Sequence, residues 1–351
     1  MTSPLRLHAV RGGLVFCLAL VAEPSAAQEA DAATLLGLAA RLDRTARVLV
    51  ITARPEDEPA GLVAWLHHGQ GAEVGVLSIH RGESGLNRFQ REVGEALGVL
   101  RVQEALRVRQ VAGGRQFYTR AFDFGAPDTE ATMWRRWPRE SLLADLVTVI
   151  RSLRPHLLIV GCEIPGPVPD LQARAAIELA EAAFAAAGDG EAISPRQSLD
   201  RPPWQPTSLY QLDCLGTGPV LRIALGERHM PGGESYAQIG ARAMAWQRSQ
   251  GLGAITLPGS GEAALRLMRS LAIPADGPSQ LFDGIPTSLQ ALAQDPELPP
   301  GRSARLAEIA QSILHLQSTF TPADPARSVG AMTASLRLVR NALGELPDAR
   351  P

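Results

Sequence analysis

Along most of the chain, short uninterrupted apolar runs alternate with longer stretches whose apolar residues recur every three or four positions. Val48 to Thr52 is a β-branched and leucine run without polar alternation, the pattern of a strand buried on both faces. A turn at Arg54 to Pro59 follows, then Leu62, Val63 and Leu66 on one helix face, then a second strand at Val74 to Ile79. Helical spacing from Phe89 to about Val111 leads to a third strand at Phe117 to Phe122 and a helix at Leu142 to Leu153. Leu157 to Val160 reads as a fourth strand and Ala173 to Ala187 as an alanine-rich helix. Ser208 to Asp213 and Val220 to Ala224 look like strands at the sheet's edge, and Ser235 to Gln250 like a helix.

Strands alternating with helices of this length predict a doubly wound, mostly parallel α/β sheet over residues 45–258. In such sheets ligands bind beyond the carboxyl ends of the strands. The segments Ala53 to Glu58, Arg81 to Asn87, Arg120 to Gly125 and Cys162 to Asp170 are therefore the places to look. Beyond Pro258 the pattern changes to loops punctuated by Pro and Gly, with helical spacing at Ala304 to Leu316 and Val329 to Leu343. Residues 259–351 are read as a helical C-terminal appendage, and Leu35 to Leu42 as a further helix.

The first 27 residues have the three parts of a secretory signal: Arg6, His8 and Arg11, the apolar run Gly13 to Ala22, and Ser25-Ala26-Ala27 at cleavage spacing. The apolar run is too short for a spanning helix of about 20 residues. An exported protein, periplasmic or secreted, without an integral membrane segment after cleavage is expected. Only Cys162 and Cys214 survive that cleavage; each follows a strand-like run where a small buried residue fits, so buried thiols are expected in preference to a bridge. The hydrophobic content of 45% suits a globular chain. A net charge of -2, with no basic run interleaved with aromatics, gives no sign of a nucleic-acid partner. The 34 basic residues are all Arg, which excludes a Schiff-base lysine and a P-loop. His67 and His68 are adjacent on a helix and diverge by about 100°, so they do not chelate together.

Val48-Leu49-Val50-Ile51-Thr52-Ala53-Arg54-Pro55-Glu56-Asp57-Glu58 resembles the first signature of PIG-L / LmbE-like N-acetylglucosaminyl deacetylases, a strand ending in A-H-P-D-D-E. Leu77 to Asn87 is similar to the family's T-R-G-E-G-G-Q-N loop, and Gly94 to Gly98 to the helix after it. Tyr118 to Gly125 resembles its T-R-A-x-D-F-G strand end, and Ser235-Tyr236 with Arg248 to Gly251 a late helix of longer bacterial members. The resemblance implies an α/β fold and a zinc-dependent hydrolase that removes acetyl groups from amino sugars or glycoconjugates. In that family the His and the second Asp bind zinc, and the first Asp is the general base.

The departures fall on that metal. Arg54 stands for the ligand His and Glu56 for the base, while Asp57 keeps its ligand identity. The family's H-P-D-H maps onto Val168-Pro169-Asp170-Leu171, so Leu171 replaces the third ligand. A guanidinium stays protonated and puts a fixed positive charge where a cation would sit. No zinc cofactor is expected, with Glu56 and Asp170 at the catalytic positions. The pocket residues Arg81, Glu83, Asn87, Arg120 and Asp123 are candidates for holding a small carbohydrate or glycoconjugate. They serve equally as braces that pair loops together. The reading is an inactive, sugar-binding relative, with a rebuilt amide hydrolase and a non-catalytic partner-binding module as alternatives.

Overall fold

The computed structural model describes residues 32–85, 87–88, 91–163, 166–193, 201–216, 220–229, 232–252, 261–272, 278–321 and 323–344. The expected signal at 1–27 lies outside them. In chain order the main elements are α1 (Ala32–Arg41), β1 (Arg47–Thr52), α2 (Ala60–Ala64), β2 (Glu73–Ser78), α3 (Glu95–Ala112) and β3 (Arg115–Tyr118). There follow α4 (Glu130–Arg136), α5 (Arg139–Leu153), β4 (Leu157–Val160), α6 (Leu171–Gly188), β5 (Ser208–Leu212), β6 (Leu221–Ala224) and α7 (Tyr236–Met244). The last are β7 (Glu262–Ser270), α8 (Leu289–Ala293), α9 (Pro300–Thr319) and α10 (Val329–Gly344).

The strands form one seven-stranded sheet in the order β3-β2-β1-β4-β5-β7-β6. The first five are parallel, and β7 runs antiparallel to both β5 and β6. Alternation along β1 sends Val48 and Val50 to one face, with α2, α3 and α7, and Leu49 and Ile51 to the other, with α5 and α6. Both faces are covered, which is why β1 carries no polar alternation. On the first face α2 and α7 approach so closely that a Cβ on Gly240 would run into the backbone of Gly61.

The chain moves outward from β1 through β2 to β3, then returns to place β4 on the other side of β1. That reversal opens a crevice between the carboxyl ends of β1 and β4, the place where doubly wound sheets bind ligands. The register pairs Ile51 with Val160, so the loop after Thr52 lies beside Gly161 and Cys162.

Three details differ from the expected elements. β3 is Arg115–Tyr118 and stops short of Phe122, because the Thr119 hydroxyl turns to donate to the Ile79 carbonyl at 2.5 Å and ends the pairing. The expected helix from Ser235 to Gln250 stops at Met244 and resumes as a short turn at Arg248–Gln250. The expected boundary at 258 cuts the sheet, since β7 inserts between β5 and β6. Glu-Ala-Ala-Leu-Arg-Leu-Met-Arg is made of good helix formers. Pairing on both sides overrides that preference and buries Ala263 and Leu265.

The C-terminal part is helical as expected and is tied to the start of the sheet. Thr45 donates its backbone N–H to Thr287 O at 3.1 Å, and Gln317 Nε2 donates to Ala39 O at 2.8 Å. Among the described residues no helix is long and apolar enough to cross a membrane.

Candidate functional site

At the end of β1 the chain is still extended at Arg54 (φ -121°, ψ 156°) and then closes into a short turn at Pro55–Asp57. This turn folds Asp57 back, so that its carboxylate accepts from the Arg54 backbone N–H at 3.2 Å and from Nε at 3.0 Å. The far end of the guanidinium, Nη2, donates to Asp170 Oδ2 at 2.5 Å. Asp170 follows β4 and caps α6, its Oδ1 accepting from Ala173 N–H at 3.0 Å. One planar fork thus joins the strand ends on both sides of the crevice. Burial works against the charge on Arg54, but Asp57 and Asp170 outweigh it and hold the guanidinium above its ordinary pKa. Burial pushes the Asp57 carboxyl above 3.8, and Arg54 only partly opposes this.

Glu56 points elsewhere. Its Oε2 is buried with no hydrogen-bond partner, and burial raises its pKa above 4.5, with Arg101 and Arg54 opposing. It lines two adjoining cavities. One, of about 230 Å³, is walled by Ala53, Asp57, Gly161, Cys162 and Cys214. The other, of about 610 Å³, opens among α2, α7 and the ends of β5 and β7 and is largely apolar.

The residues here do not fit a zinc ion. A catalytic zinc takes three N, O or S ligands from the protein, whereas Arg54 fills the space between Asp57 and Asp170 with a cation and Leu171 has no lone pair to offer. Val168 is 71% exposed, and the Gln247 amide is engaged by the Pro55 carbonyl at 2.9 Å. Among the described residues no cluster of three or more His, Cys, Asp or Glu is placed to hold a metal. His80 is fully buried, its Nδ1 accepting from Gly82 N–H at 2.9 Å. Burial lowers its pKa, and Asp123 at 3.8 Å opposes this.

The proposed sugar-binding set divides. Glu83 and Asp123 are buried and their oxygens are taken by backbone N–H groups. Glu83 Oε2 accepts from Arg81 at 3.2 Å and Asp123 at 3.1 Å, and the Asp123 carboxylate accepts from Ser84 at 3.2 Å and Gly125 at 3.0 Å. These two carboxylates lock the loops after β2 and β3 to each other. Arg120 points away from the crevice to Asp145 on α5, donating from Nε and Nη2 to both oxygens at 2.7–3.1 Å, with a side chain 62% exposed. It is a surface brace, and its place in a sugar site is withdrawn. Asn87 donates to Glu92 O at 3.1 Å across an exposed turn. Arg81 is half-exposed, with its guanidinium 5.3 Å from the Tyr118 ring.

Cys162 and Cys214 form a disulfide, with Cα atoms 6.1 Å apart, where free thiols were expected. The reason is topological: β4 and β5 are parallel neighbours, pairing Val160 with Gln211, so residues just past their ends meet although 52 positions apart. The bridge lines the smaller cavity and clips its two strand ends together.

Charged residues on α3 complete the surroundings. Arg101 is buried and donates to Gly82 O and to Ser249 Oγ, while Glu104 accepts from Ser249 N–H at 2.8 Å and Oγ at 2.6 Å. Arg109 pairs with Glu58 in a fully buried ion pair. The readable signal was that Arg101 and Arg109 share a helical stripe with Leu97, Ala105, Val108 and Ala112, where a solvated helix would place apolar residues.

Residues 49–170 match the family model of GlcNAc-PI de-N-acetylases, PIG-L. Against curated proteins the chain finds no match. Among solved structures it is similar to N,N'-diacetylchitobiose deacetylase from Pyrococcus horikoshii, with 15% identity over 58% of this chain and 70% of that one and a TM-score of 0.43. The 4-carboxy-2-hydroxymuconate hydratase of Pseudomonas putida gives 16% identity over 66% and 99% of the two chains, TM-score 0.44. The deacetylase of the A40926 pseudoaglycone gives 14% over 66% and 100%, TM-score 0.42. The matched stretch runs from β1, through the Arg54 turn, to the Asp170 cap, and over it the chain is similar to the PIG-L family.

Proposed function

We propose that this protein is a metal-free relative of the N-deacetylases, in which the Arg54 guanidinium takes the place of the family's zinc and the crevice binds an amino sugar or glycoconjugate without hydrolysing it. The observation that carries the reading is the bridge from Asp57 through Arg54 to Asp170. Its single positive charge offsets part of the negative charge of Asp57, the retained ligand position, and of Asp170 beside it. Glu56 and Asp57, which line the smaller cavity, remain to meet hydroxyl and amine groups. The disulfide at the crevice supports an exported protein, since such bonds persist in oxidising compartments.

A rebuilt amide hydrolase is the second reading, favoured by the unpartnered, partly desolvated Glu56 carboxyl beside two cavities. Metal analysis of the purified protein together with acetate release from N-acetylglucosamine conjugates separates the two. Less than stoichiometric zinc and no acetate release are expected, with calorimetric binding of the sugars persisting in chelator. Zinc-dependent acetate release overturns the metal-free reading, and acetate release in chelator that is lost in Glu56→Gln establishes the rebuilt enzyme.

A further inference from the structure

A separate cavity lies far from the crevice in sequence, in the helical C-terminal part. This groove of about 820 Å³ runs between α9 and α10 and is closed at its sides by Leu42 and Leu289. Its size falls within the roughly 300–1,000 Å³ of small-molecule pockets. Along α9 its floor is Arg302, Arg305, Ile309 and Ile313, a single helix face about 16 Å long at 1.5 Å per residue. Val339 and Leu343 of α10 form the opposite wall.

The charge is polarised along this floor. Both guanidiniums lie in the first two turns of α9, where the helix dipole also favours an anion, and the remainder toward Ile313 is apolar. No acidic side chain is among the described residues lining the groove. Arg305 has Glu308 at 3.9 Å among its partners, and Arg302 has no ion pair among the described residues. The apolar walls are also under-used by the fold, since Leu42 and Leu343 remain 47% and 50% exposed.

An apolar floor with two guanidiniums at one end is complementary in charge and polarity to an acyl chain ending in a carboxylate. We propose that the α9–α10 groove binds a free fatty-acid-like carboxylate, with its head on Arg302 and Arg305 and its chain toward Ile313. This inference rests on none of the residues of the crevice and stands or falls apart from the reading given there.

The test is calorimetry of the full purified chain with dodecanoate below its micelle threshold, with dodecyltrimethylammonium, and with phosphatidylglycerol vesicles. One dodecanoate is expected per chain, the cationic chain failing to bind. Arg302→Gln and Arg305→Gln should each weaken binding roughly tenfold or more, the worth of hydrogen bonds to a charged group. Ala342→Trp, which fills the groove from α10, should abolish binding at an unchanged unfolding midpoint. Should it misfold, the two Arg variants decide the matter. Equal binding of the cationic chain, unaltered affinity in both Arg variants, no dodecanoate binding, or sedimentation with vesicles in its absence each overturns the proposal.

Discussion

Arg54 and Asp170, 116 positions apart, meet at 2.5 Å across the crevice between β1 and β4, and this contact holds the two halves of the parallel sheet together at their carboxyl ends. Each of the three side chains in the bridge is between 20% and 27% exposed. An exposed ion pair contributes up to about 1 kcal/mol, and breaking a buried one costs about 3–5. Arg54→Ala is therefore expected to destabilise the protein by roughly 2–3 kcal/mol at neutral pH, read from urea unfolding. Arg54→Ala with Asp170→Asn should lose less than the sum of the single changes, because the two act on one interaction.

Glu56 and Asp57 set a pH dependence whose sign follows from their burial. Their folded pKa values are raised above 4.5 and 3.8, so in that region the folded state holds more protons than the unfolded one. Their contribution is fully present below those values and is lost as pH rises through the folded ones. Glu56→Gln is expected to be more stable than the wild type at pH 7, with the advantage shrinking toward pH 4.5. A constant difference across that range in chemical unfolding would show that the Glu56 carboxyl is solvated.

Much of the framework around this crevice is legible in the sequence, and the limits have physical reasons. The apolar runs at Val48 to Thr52 and Leu157 to Val160 named their strands because burial on both faces leaves no alternative composition. The segments after them held Arg54, Asp57 and Asp170, since strand ends are where such a sheet places its site. What was lost depended on lateral neighbours. The pairing of Cys162 with Cys214 needs the adjacency of β4 and β5, and β7 is a strand only because β5 and β6 flank it. Arg120 stands just past the end of β3 yet reaches Asp145, a partner 25 positions away that no strand-end rule indicates.

The same contrast gives a mutational prediction. Arg120→Ala removes an exposed pair and should change stability by no more than about 1 kcal/mol, leaving sugar binding untouched. Asp123→Ala leaves the N–H groups of Ser84 and Gly125 unpaired and should cost roughly 1–3 kcal/mol for each one kept from water. Thermal unfolding of the two variants side by side checks both.

The disulfide closes a loop of 52 positions. Chain-entropy arguments give such a crosslink about 4 kcal/mol, commonly less in practice. The double change Cys162→Ala and Cys214→Ala is expected to lower stability by roughly 2–4 kcal/mol, and reductant should lower the wild-type unfolding midpoint while leaving the double variant unmoved.

The last prediction returns a metal site to the crevice. Arg54→His removes the guanidinium, and with it the positive charge that holds Asp57 and Asp170 together. Leu171→His adds a nitrogen donor at the first turn of α6, beside the Asp170 cap. With Asp57 the pair supplies two imidazoles and a carboxylate, a donor set that zinc accepts in catalytic sites. Zinc that binds only the folded chain stabilises it by RT ln(1 + [L]/Kd), about 2.7 kcal/mol at a hundredfold excess over Kd. The double variant should therefore lose stability in chelator, where Asp57 and Asp170 face each other without the Arg54 counter-charge, and regain it on addition of zinc. The wild type should show no zinc-dependent shift, and Arg54→His alone only a small one, because one imidazole and one carboxylate leave the ion a ligand short. Unfolding midpoints of all three proteins, each with zinc and with chelator, carry the comparison. A wild-type shift as large as that of the double variant would mean that the native crevice takes up zinc despite Arg54, and the metal-free reading would be lost.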